Sequence, residues 1–90
     1  MKVIRVSLIE SDSSPEILTR FDDAKERLYG KLLRDPVGEI PNAEMNLFSK
    51  QFHVLVPSTR HLGTVTTLLR KQLKHYNVAD KVMIERLDRA

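Results

Sequence analysis

The sequence predicts an α+β domain, a four-stranded antiparallel sheet with two helices on one face. Three observations carry this. Gln51-Phe52-His53-Val54-Leu55-Val56 has the period-two alternation and β-branched and aromatic content of a strand, and Pro57 stops it. The chain then switches to a helical period, with Leu62, Val65, Leu69, Leu73 and Tyr76 on one stripe. The N-terminal third has the same strand-then-helix succession, so the element order reads β-α-β-β-α-β.

Taken in order, Lys2 to Glu10 is the first strand. Ile4, Val6 and Leu8 form a uniformly apolar face that should meet the helices, while Val3, Arg5, Ser7 and Ile9 form a mixed one. Ser14 precedes Pro15 as an N-cap, and proline at the first helical position loses no intrahelical bond. Ser13 with Glu16 is the competing capping box. Ile17, Phe21, Ala24, Leu28 and Leu32 follow at helical spacing. Arg20, Asp23, Lys25, Glu26, Arg27 and Lys31 are expected on the solvated side. Pro36 ends this helix by about Arg34, because the residue before proline avoids the α region.

Ala43, Met45 and Leu47 alternate with Glu44 and Asn46, which suggests a second strand over residues 43–47. Pro41 places it at a sheet edge or a bulge. Ser49-Lys50 would turn the chain into the third strand, where Phe52, Val54 and Val56 face inward and Gln51, His53 and Leu55 outward. Ser58 or Thr59 should cap a second helix that runs to about His75 and stops at Asn77. Lys81 to Leu87 reads as the last strand, with Val82 and Ile84 on one face and Lys81, Met83, Glu85 and Leu87 on the other.

Two right-handed β-α-β crossovers joined by a hairpin give a ferredoxin-like plait spanning residues 1–90 as one domain. Gly38-Glu39-Ile40 leads into the second strand, followed by a polar hairpin and an apolar third strand. In this the chain resembles small stand-alone ferredoxin-like α/β domains. The resemblance implies the fold and little about activity, since this fold hosts many unrelated functions.

Composition narrows the function classes. Hydrophobic residues at 41% and charged residues at 30% are those of an ordinary globular protein. The absence of cysteine excludes disulfides, thiolate metal sites and a cysteine nucleophile. The N-terminal run is broken by Arg5 and Ser7, so it reads as a strand rather than a signal sequence, and nothing approaches the ~20 apolar residues of a membrane span. A cytoplasmic protein is the expectation. Residues 1–45 carry 7 Lys/Arg against 9 Asp/Glu, a charge of −2, and residues 46–90 carry 8 against 3, a charge of +5; together these give the chain's +3. The basic character belongs to the C-terminal half.

Chemistry-bearing patterns are sparse. His53, His61 and His75 have no metal-ligand spacing, so no metal or cofactor is expected. Asp22, Asp23 and Glu26 read as a solvated helix face rather than an acid–base pair. Nothing positions a Ser-His-Asp triad. The loop after the first strand has neither the glycine nor the arginine that acyl-phosphate hydrolysis would need. RNA recognition on a plait needs aromatic residues on the central strands, and here Phe52 points inward.

Three binding readings remain. The outward sheet residues Val3, Arg5, Ile9, His53, Leu55, Met83 and Leu87 are too apolar for a sheet bare to water. They predict a non-enzymatic interaction module that forms a homodimer or docks a protein partner. Arg60, Arg70, Lys71 and Lys74 would serve a nucleic-acid-binding accessory protein. Ser58, Thr59, Arg60, His61 and Thr64, at the start of the second helix, would serve an anion- or metabolite-binding regulator.

Overall fold

The computed structural model describes residues 2–9, 14–41 and 49–88. The order is β1 (Lys2–Leu8), α1 (Pro15–Arg34), β2 (Gln51–Val56), α2 (Leu62–His75) and β3 (Val82–Asp88). β1 is the middle strand of a three-stranded sheet and pairs antiparallel with both neighbours. Val6 stands opposite Phe52 and Ile84, and Ile4 opposite Val54 and Arg86. Ile4, Val6, Leu8, Phe52, Val54 and Val56 share one core with Phe21, Ala24 and Leu28 of α1 and Val65, Leu69 and Leu73 of α2. Both helices therefore cover the same face, as the alternation in β1 and β2 requires.

The expected four-stranded plait is corrected, because among the described residues the sheet has three strands. The proposed second strand over residues 43–47 lies outside the described residues. What reaches the β2 edge is a single antiparallel bridge, in which the Glu39 N–H donates to the Leu55 carbonyl at 2.9 Å and the Leu55 N–H to the Glu39 carbonyl at 2.7 Å. Among the described residues, this register explains why Val37 and Pro41 do not extend the bridge. One step either way along the bonded positions, Val37 would oppose Pro57 and Pro41 would oppose His53. Each step would need an N–H that a proline lacks. The Val37 N–H turns back instead to the Asp35 carbonyl at 2.7 Å. Gly38 allows this close approach, since a Cβ there would stand 3.3 Å from the Leu55 carbonyl oxygen and 3.4 Å from a Val65 methyl.

α1 begins and ends where its sequence indicates. The Ser14 hydroxyl accepts from the Ile17 N–H at 3.3 Å with Pro15 at the first position. Asp35, next to Pro36, is extended at φ −131°. One part of its helical wheel is corrected. Lys25 is buried rather than solvated, with its Nζ 3.0 Å from an equally buried Asp22 carboxylate.

The expected Ser58 or Thr59 side-chain cap of α2 is not made. A turn of 3-10 helix, Thr59–His61, precedes the helix, and Ser58 supplies its backbone carbonyl to the His61 N–H at 3.0 Å. The C-terminus of α2 ends at Asn77 as read. Asn77 takes a left-handed φ of 59°. Its N–H reaches the Lys74 carbonyl and the Val78 N–H the Leu73 carbonyl, a Schellman pair sealed by buried Val78 and Leu73.

Gln72 lies on the buried side of α2 at 3% exposure. Among the described residues its side-chain amide has no hydrogen-bond partner, which costs about 1–3 kcal/mol of desolvation. Gln72→Met keeps the volume and removes the polar atoms, so it should raise stability by about 1 kcal/mol, or a melting temperature rise of roughly 4–8 °C for a domain this size. Thermal unfolding followed by circular dichroism checks this; a lower melting temperature would refute it.

Candidate interaction face

The sheet face opposite the helices is built by the other half of each strand's alternation. The registers arrange it in rows across the sheet. Val3 stands between Leu55 and Leu87, Arg5 between His53 and Glu85, and Ser7 between Gln51 and Met83. Ile9 continues beyond β1, its N–H donating to the Lys81 carbonyl at 3.0 Å. All seven residues expected at an interface thus fall on or directly beside one surface.

The first row is apolar. Val3 is 5% exposed yet stands apart from the main core cluster, and its register partners Leu55 and Leu87 are half-buried. The middle row holds an ion pair, Arg5 Nη2 to Glu85 Oε2 at 2.9 Å. With the side chains about one-third exposed, such a pair contributes roughly 0.2–1 kcal/mol and chiefly fixes the two side chains in place. The last row ends in Met83, 54% exposed, with Ile9 beside it at 39%. No Phe, Tyr or Trp ring faces out from these strands, because Phe52 packs inward with its ring centroid 5.3 Å from that of Phe21. The base-stacking platform of RNA-binding plaits is therefore missing here.

No family model, curated protein or solved structure matches this chain. Function has to be read from the chemistry of its surfaces alone.

The residues expected to hold an anion or nucleic acid are dispersed. Thr59 and Arg60 are exposed on the 3-10 turn, where the Arg60 Nε donates to the His61 Nε2 at 3.3 Å. Ser58 and His61 are half-buried. Part of that turn's donor capacity is spent internally, since the His61 and Leu62 N–H groups go to the Ser58 and Thr59 carbonyls. Arg70, Lys71 and Lys74 are exposed on α2, and among the described residues none of them makes an ion pair. Arg70 lines a depression of about 350 Å³ shared with Leu62, Gly63, Thr66, Thr67 and Arg86.

Arg86 was not singled out by the sequence, although a signal exists. It follows Val82 and Ile84 in the inward alternation of β3, so the pattern breaks at Arg86 where the strand passes the start of α2. The acidic group Asp22, Asp23 and Glu26 does converge, with ligand atoms within 4.8 Å of one another, but Asp22 is already neutralised by Lys25. Among the described residues no helix is long and apolar enough to cross a membrane.

Proposed function

We propose that this chain is a cytoplasmic, non-enzymatic interaction module that pairs with a second copy of itself through the open sheet face. The apolar row Val3, Leu55 and Leu87 carries the reading, lying opposite the helices and continuing toward exposed Met83 and Ile9. Charge favours a second copy as the occupant. The nine residues of the three rows hold one arginine and one glutamate, already paired, so the face is neutral although the chain is +3. The basic residues of α2 lie on the far side of the sheet and do not oppose the approach.

A two-fold axis along β1 would lay β2 of each protomer over β3 of the other. Leu55 then meets the second copy's Leu87, and Glu85 meets the second copy's His53. Such an interface is isologous and closes at two protomers.

Size sets the strength. At ~3.3 Å per residue and ~4.8 Å between strands, this sheet presents a face of roughly 23 by 14 Å. That falls well short of the ~800 Å² per partner of a standard interface, so the dimer belongs to the weak, transient class. Sedimentation equilibrium from about 1 μM to about 1 mM brackets that class. The average mass should rise with concentration, and Leu55→Asp, which puts a charge into the apolar row, should weaken association by at least about tenfold. A monomer throughout that range would sink the proposal.

A further inference from the structure

We propose that the depression between α2 (Leu62 to Arg70) and β3 is a binding site for a small phosphomonoester, held by Arg70 and Arg86. The two arginines come from different elements yet line the same concavity of about 350 Å³. No carboxylate lines it, and among the described residues neither arginine has an ion-pair partner. An anion seated in the depression would receive charge-assisted, bidentate hydrogen bonds from the two guanidinium groups. Thr66 and Thr67 add hydroxyl donors on the same wall. The early turns of α2 carry the positive end of its dipole.

Gly63 belongs to the same lining. Its φ is not positive, and nothing lies within 4 Å of where a Cβ would stand. Neither backbone conformation nor packing calls for glycine there, while glycine in a helix costs about 1 kcal/mol relative to alanine. What its missing side chain does is keep the depression open, since Gly63 is part of the lining.

The volume favours a small ligand over a polymer. It lies within the ~300–1,000 Å³ range of small-molecule sites. Lys71 and Lys74, which a nucleic-acid backbone would also use, do not line the depression. The site is on the helix side of the sheet, so it is separate from the proposed dimer face.

The experiment is an amide NMR titration of the whole chain at fixed ionic strength with three probes: inorganic phosphate, adenosine monophosphate and a short single-stranded oligonucleotide. Saturable shifts at Gly63, Thr66 and Thr67 with phosphate or adenosine monophosphate are expected. Arg86→Ala should weaken them about tenfold, as loss of one charge-assisted contact does. Gly63→Leu, which improves helix propensity while filling the depression, should abolish them. Arg60→Ala, outside the depression, should leave them unchanged. Shifts that do not saturate, that survive in both Arg86→Ala and Gly63→Leu, or that arise with the oligonucleotide alone and fade steeply with salt would overturn the proposal.

Discussion

Lys25→Met should lower the unfolding free energy by about 3–5 kcal/mol. The reason is the partner it leaves behind. Lys25 and Asp22 are 3% and 7% exposed at the side chain, with Nζ and Oδ1 3.0 Å apart. Methionine matches the lysine stem and fills its space, so almost all of the cost falls on a carboxylate left buried without its cation. The double variant Asp22→Leu, Lys25→Met removes both charges and should recover most of the loss, as replacements of whole buried pairs do. Urea unfolding of the four species gives the coupling directly. If Lys25→Met alone costs under about 1 kcal/mol, the pair behaves as a surface one and its burial is not energetically real.

That pair shows where sequence reasoning stopped short. By spacing, Lys25 stands four residues after Phe21 and three before Leu28, on the flank of the apolar stripe. Its charge argued for solvent, and the helical period argued for burial; the period was the better guide. A lysine can follow a core spacing when a carboxylate one turn away is buried with it, and the i,i+3 relation of Asp22 to Lys25 was visible in the sequence.

The strands were legible where period and proline agreed. β2 and the inward sets of β1 and β3 follow from alternation alone, and Ser14-Pro15 and Pro36 delimit α1. That Glu39 makes only a single bridge to the β2 edge among the described residues was not legible, because the limit is a pairing property. Pro41 was read as an edge marker. Pro57 was read as a stop for its own strand, and its position opposite Val37 appears only once Glu39 is paired with Leu55. Tertiary register, unlike periodicity, is not written in a single segment. The open face and the depression divide the same way. The face is the complement of the core alternation and could be listed residue by residue from sequence. The depression joins Arg70 to Arg86 across two elements, which only the packing of α2 beside β3 brings together.

Phe21→Ala should cost about 3–5 kcal/mol, comparable to the loss of Lys25 but by a different route. Phe21 is 1% exposed and packs on Phe52 with centroids 5.3 Å apart and planes tilted by 43°. Phe52 is the inward neighbour of His53 on β2, so the pair fixes α1 against the strand whose reverse side carries Leu55. Truncation leaves a cavity between layers that cannot collapse without shifting α1 or bending the sheet. Small domains hold roughly 5–15 kcal/mol in total, so this variant should be close to the limit of folding at 37 °C. Phe52→Ala should cost a similar amount. The double variant should be less destabilised than the sum by about 0.5–1.5 kcal/mol, the share belonging to the ring–ring contact itself. Denaturant unfolding of the cycle measures that share, and strict additivity would mean the rings are neighbours in space without being partners in energy. Because both rings are on the helix side, any loss of self-association in these variants should track the unfolded fraction. Leu55→Asp should weaken association in a chain that remains folded.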